Sequence, residues 1–266
     1  MVHLRPLHFN KVKFDKIWGE ETWLLSGREE SPSIVDSEGT FNGRSLPSLV
    51  EEYGSRLLGK KCSINKEFPL LFKRLHAESS LSLQVHPSIS SSPGEEAKTE
   101  MWMSIGKSSA FLGLRDGITK MHLLNGALGP EVPNCLREVE LQDKQMVLID
   151  AGCVHALMKG DVFEVSQNSS TTYRLYDWDR EGREMHVEKG IESIDFSLKE
   201  PNVSDKEINC PFFKCIYCPN GTIIKSNRDT FSLVYIVDYD DCILVPADIG
   251  KDKIEFKQKC IVTTLI

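Results

Sequence analysis

Short apolar runs separated by glycine, proline and polar turns recur along the chain: Leu81–His86, Ala110–Leu114, Gln145–Ile149, Val162–Val165, Phe231–Val237 and Ile261–Leu265. Several alternate apolar and polar positions with a period of two, as half-buried strands do. Helical spacing is found in two places. In Ser45–Leu58, residues Leu49, Val50, Tyr53 and Leu57 fall on one face, Ser45 can cap and Pro47 sits early. In His186–Ile194, residues Val187, Ile191 and Ile194 repeat at helical spacing. Many short strands with few helices predict a mainly β protein, a sandwich or barrel. The polar stretch 198–207 is the linker candidate, which gives a large domain over 1–197 and a small one over 198–266.

Composition narrows the class of protein more than its chemistry. The 266 residues carry 32 Lys+Arg against 39 Asp+Glu, a formal net charge of −7, with 40% hydrophobic residues. That is the profile of a soluble globular chain, and it lacks the basic surplus of a nucleic-acid binder. The first residues form no signal-like apolar segment, and the longest apolar run, Phe231–Val237, is far shorter than a membrane span. The eight cysteines are too sparse for a disulfide scaffold and read as reduced thiols of a cytoplasmic protein. Cys210, Cys215 and Cys218 give C-x4-C-x2-C, but no nearby fourth ligand follows, so thiols outside any metal site are favoured.

Two histidine-centred segments carry the candidate chemistry. In Leu81–Pro87 (LSLQVHP), Gln84 and His86 are two apart and would project from one face of a strand. Fourteen residues past His86 comes Glu100, in the apolar setting of KTEMW. The second segment, DAGCVHA, feeds His155 from a glycine turn into a strand. Two imidazoles, a carboxylate and an amide oxygen suit zinc with positions left open for substrate; a histidine taken alone on a strand is more often a hydrogen-bonded structural residue than a ligand. Glu164 interrupts the apolar run Val162–Val165, so it must either pair with a cation or have a raised pKa. Arg174 can present a planar fork to an anion, or form a structural ion pair with Glu164.

In order and spacing these segments resemble the type I phosphomannose isomerases, zinc-dependent cupin enzymes. The likeness runs over about residues 4–195, through Ile17-Trp18-Gly19, Trp23–Gly27, Ser31–Ser33, Gly43–Leu46, Phe68–Lys73, LSLQVHP, KTEMW, AGCVH and TTYRLYDW (171–178). It implies a cupin jelly-roll followed by a smaller, abbreviated cupin-like β unit, because the chain is short for the family. It implies interconversion of mannose 6-phosphate and fructose 6-phosphate through a cis-enediol. It also implies one Zn2+ held by Gln84, His86, Glu100 and His155. Arg174 matches the arginine regarded as catalytic, and Glu164 a carboxylate proposed as base. Lys98 matches a pocket lysine, and Arg180 falls where a basic residue is placed. Ser82, Lys73 and Trp18 are weaker pocket candidates. The implied partner is a small phosphorylated sugar, with neither nucleic acid nor membrane, and the chain would act as a monomer or homodimer. A non-catalytic phosphosugar-binding cupin, or an enzyme acting on another sugar phosphate, remains compatible with the same residues.

Overall fold

The computed structural model describes residues 2–62, 67–88 and 95–266. The chain is 42% strand and 13% helix. It divides into two compact units, and the division does not follow chain order. One unit comprises residues 14–21 and 74–204; the other comprises residues 1–13, 22–73 and 205–266. The boundary expected at 197/198 therefore falls at 204/205, and the N-terminal segments group with the C-terminal strands. The reason is strand pairing: Leu7–His8 runs antiparallel to Asp241–Val245, with Leu7 opposite Leu244. Within the linker candidate, Val203–Ser204 pairs with Met146–Ile149 and so extends the first unit.

The 14–21/74–204 unit is built on two long antiparallel strands, Glu100–Leu114 and His155–Gln167. Met146–Ile149 and Leu136–Leu141 pair with different stretches of the former. Leu83–Val85 lies between His155–Gln167 and Tyr173–Tyr176. Alternation along these strands supplies two separate cores. Trp102, Ala110, Leu112, Val147, Ile149 and Leu157 pack on one face, with Trp18, Leu75 and Leu81. Leu83, Val85, Phe111, Ala156, Tyr173 and Leu175 pack on the other, covered by Ile191 of the Val187–Ser193 helix.

In the other unit, six strands form an antiparallel sheet in the order Leu7–His8, Asp241–Val245, Ser232–Ile236, Cys260–Leu265, Phe213–Cys218, Glu207–Asn209. Thr222–Lys225 and Lys253–Phe256 make a separate two-stranded ribbon. The helix expected over Ser45–Leu58 forms as Leu46–Tyr53 and Ser55–Leu58, interrupted at Gly54 with φ +44°. Its start is as expected: the Ser48 amide donates to Ser45 Oγ, 3.3 Å. No helix of the described residues is long and apolar enough to cross a membrane.

Candidate functional site

Strand register brings the chemistry together. Gln84 lies opposite both Arg174 and His155, and directly opposed residues of a ladder point to the same face. The flanking Leu83 and Val85 enter the outer core, so Gln84 faces the side of Trp102 and Leu157. Strict alternation from His155 would put Glu164, nine residues on, on the opposite face. A bulge corrects this. The register slips between Ser109↔Lys159 and Ala110↔Leu157, inserting one extra residue into the His155–Gln167 strand. Leu157 and Val162 consequently share a core despite their odd spacing, and Glu164 joins His155. Gly160 permits this local path: it has φ +108°, and a Cβ there would lie 2.6 Å from the Lys107 carbonyl oxygen. A second glycine, Gly152 (φ +91°), shapes the turn before His155, and its amide donates to the His86 carbonyl, 2.8 Å. The two histidine segments are thus tied through their backbones.

At the centre lies Glu100, 1% exposed, between two buried imidazoles. His155 Nε2 is 3.2 Å from Glu100 Oε1, and His86 Nε2 is 3.4 Å from Oε2. The opposite nitrogens are spoken for: His86 Nδ1 lies 2.9 Å from the Thr171 carbonyl, and His155 Nδ1 lies 2.9 Å from that of Cys153. Donation to those carbonyls places each proton on Nδ1 and leaves the Nε2 lone pairs aimed at the carboxylate. Burial, with the Lys98 charge alongside, pushes the His86 pKa down to about 4, so that ring is neutral near pH 7. Burial by itself would raise the Glu100 pKa, but Lys98 and the two imidazoles outweigh it and hold the carboxyl well below its usual range. Glu100 Oε2 has the Lys98 ammonium beside it, whereas Oε1 is buried without an accepted hydrogen bond. Lone pairs facing a carboxylate with no proton between them are what a bound cation resolves. Ligand atoms of His86, Glu100 and His155 all lie within 4.8 Å of one another, and among the described residues they form the only such group of His, Cys, Asp and Glu. The Gln84 amide stands 3.2 Å from His155 Nε2, where a half-turn about its last bond presents the oxygen instead. The four candidate ligands are therefore assembled, and their donor set fits a divalent cation such as zinc.

Lys98 is set deeper than a pocket-lining role suggested. Its Nζ, on a residue 6% exposed, lies 2.7 Å from Glu100 Oε2, 3.4 Å from Glu164 Oε1 and 3.5 Å from His86 Nε2. Burial works against its charge, yet the two carboxylates prevail and raise its pKa. Glu164 thereby has the cation its apolar strand required, and it also accepts from the Trp102 indole, 3.3 Å. Trp102 was not singled out from sequence, although it closes the KTEMW segment.

Arg174 donates through Nη1 to the Glu184 carbonyl, while its Nε is buried without a hydrogen-bond partner. Burial, and then the neighbouring Arg183 charge, lowers its pKa from the usual arginine range. Arg180 donates to Asp177 Oδ1 at 2.8 Å, and Arg183 to the same oxygen at 3.1 Å. Asp177, 3% exposed, is a second residue that sequence reasoning passed over; of the two acids in YDWD, nothing in the pattern marks it as the one on which two guanidinium groups converge. Ser82 is buried two residues before Gln84. Trp18 is a member of the interior apolar core rather than a neighbour of Glu100 in any contact seen here. Lys73 falls in the other unit, with Nζ 5.4 Å from the Trp23 ring centroid. The three cysteines of C-x4-C-x2-C do not converge: Cys210 Sγ donates to the Phe213 carbonyl and Cys215 Sγ lies 3.3 Å from Thr263 Oγ1.

Comparison with known proteins gives one consistent answer. A model of the phosphomannose isomerase type I catalytic domain matches residues 10–110, the stretch holding Gln84, His86, Lys98 and Glu100. The chain is 29% identical to mannose-6-phosphate isomerase ManA of Bacillus subtilis, over 98% of this chain and 99% of that protein. That alignment extends over 315 positions, so the relative's additional residues lie inside the matched range rather than beyond Ile266. GmuF of the same organism, named as a probable mannose-6-phosphate isomerase, is 33% identical over 71% of this chain and 68% of its own length. In fold, the chain matches the crystal structure of the Bacillus subtilis mannose 6-phosphate isomerase with a TM-score of 0.82, at 22% identity, covering 99% of this chain and 100% of that one. A zinc-bound mannose 6-phosphate isomerase matches with a TM-score of 0.74, at 14% identity, covering 98% and 99%. The mainly β architecture is the cupin fold of these neighbours. The chain belongs to the type I phosphomannose isomerase family.

Proposed function

We propose that this protein is an aldose–ketose isomerase that interconverts mannose 6-phosphate and fructose 6-phosphate by proton transfer between C1 and C2. The observation that carries the reading is the buried Glu100, flanked by two imidazole Nε2 atoms, with Lys98 and Glu164 directly beside it. Gln84, His86, Glu100 and His155 would hold one zinc ion, which as a Lewis acid polarises substrate oxygens and lowers the cost of an enediolate. Glu164 acts as the base that carries the proton between the two carbons; its carboxylate is held by the Trp102 indole and the Lys98 ammonium. Arg174 stabilises the negative charge that develops on the enediolate, its Nε being a buried donor that no protein group satisfies. Lys98 balances the charges of Glu100 and Glu164. Arg180, steadied by Asp177, and Ser82 hold the phosphate dianion, whose binding energy fixes C1 and C2 against the base. The partner is then a small phosphorylated sugar, met in the cytoplasm by a monomer or homodimer.

A coupled assay for fructose 6-phosphate tests this reading, with mannose 6-phosphate as substrate and unphosphorylated mannose as control. Turnover of the phosphorylated sugar is expected, with that of free mannose at least about a hundredfold weaker, since the remote anion supplies the positioning energy. Zinc-loaded protein that leaves mannose 6-phosphate unchanged would overturn it.

A further inference from the structure

Cys218 and Cys260 lie directly opposite each other where the Phe213–Cys218 and Cys260–Leu265 strands pair antiparallel. Residues so opposed have Cα atoms about 4.5–5.5 Å apart and side chains on one face, within the roughly 4.4–6.8 Å that a disulfide spans. The two side chains are cross-strand neighbours, and both pack in the apolar cluster around Val262 and Ile254. Cys215 and Cys210 are not competitors. Cys215 projects from the other face of its strand toward Thr263, and Cys210 is bonded to the Phe213 carbonyl. The exposures of the pair differ in a useful way: Cys260 is fully buried, whereas Cys218 is half-buried at the end of its strand. An oxidant reaches one sulfur, and the second waits beside it.

We propose that Cys218 and Cys260 form a peroxide-oxidisable dithiol that closes to a cross-strand disulfide. The Cys218 thiolate attacks a peroxide oxygen; the O–O bond breaks, Cys218 becomes a sulfenic acid and hydroxide or alkoxide departs. The Cys260 sulfur then attacks the Cys218 sulfur; the S–S bond forms, the S–O bond breaks, and the oxygen leaves as water with the Cys260 proton. Two thiols lose two electrons in total, and the peroxide gains them. None of this involves the metal cluster or depends on the isomerase reading.

The test treats reduced, folded protein with hydrogen peroxide, blocks remaining thiols by alkylation, and reads intact mass and linked peptides. Expected are a fall of about 2 Da in the mass read before alkylation, for the two hydrogens lost, two alkyl groups fewer than the reduced control after it, and a peptide joining Cys218 to Cys260. Cys218→Ser should abolish the loss, while Cys260→Ser should leave a sulfenic acid at Cys218 that dimedone traps. Linkage of any other cysteines, the same mass loss in Cys218→Ser, or oxidation of Cys218 that stops at sulfinic acid in the wild-type chain would each overturn the proposal.

Discussion

Glu100 shows how much a single residue's surroundings can say. A carboxylate buried to 1% exposure is costly unless its charge is met. Lys98 meets part of it at 2.7 Å, yet both imidazole Nε2 atoms still present lone pairs to the two carboxylate oxygens. A cation bound there satisfies all three residues, and Gln84 can contribute an oxygen. The spacing of Gln84 and His86 was legible in the sequence, because a strand's period of two needs only local information. The partners that hold the rest were not. The Trp102 indole meets Glu164 from 62 residues away in the chain, and Asp177 meets Arg180 and Arg183, three and six residues on, through a turn with Trp178 and Asp179 at positive φ that neither strand nor helix periodicity reveals. Arg174 separates ligation from catalysis. It stands beside Gln84 in register but outside the cluster of candidate ligands. Arg174→Ala should lower kcat by about 10²–10³, the cost of losing one donor to a developing oxyanion, while bound zinc stays at the wild-type level. Near-normal turnover in this variant would remove Arg174 from the chemistry, and loss of zinc would reassign it to the metal site.

Elements were readable where their pattern is local and obscured where it changes midway. The runs Ala110–Leu114 and Val162–Val165 proved to be parts of strands that extend over Glu100–Leu114 and His155–Gln167. Their middle portions are polar and bulged, which breaks the alternation that reveals a strand. The same bulge makes the site possible, since without it His155 and Glu164 would lie on opposite faces of one strand. Gly160 sits within that irregular stretch, at φ +108°, with the Lys107 backbone where a Cβ would go. Gly160→Ala should therefore destabilise the fold by about 1–3 kcal/mol, measured by urea unfolding. Unchanged stability would show that the backbone there relaxes freely and does not need glycine. The Ser45–Leu58 helix illustrates the opposite case: its cap and apolar face were plain, and only the interruption at Gly54 was not.

At the scale of the whole molecule, the mainly β architecture followed from many short strands, but the division into units did not. A reading in chain order cannot anticipate that Leu7–His8 pairs with Asp241–Val245. Net charge was similarly uninformative about the site. The chain carries −7 overall, yet Lys98 is enclosed with Glu100 and Glu164, while Arg174, Arg180 and Arg183 gather around Asp177. The central claim is that the His86–Glu100–His155 cluster, with Gln84, holds the zinc on which isomerisation depends. It is tested most directly by stripping the purified protein with a chelator and titrating zinc back during mannose 6-phosphate turnover. Activity should vanish on stripping, then rise in proportion to added zinc and level off at one ion per chain. Full turnover in the metal-free protein would contradict the claim.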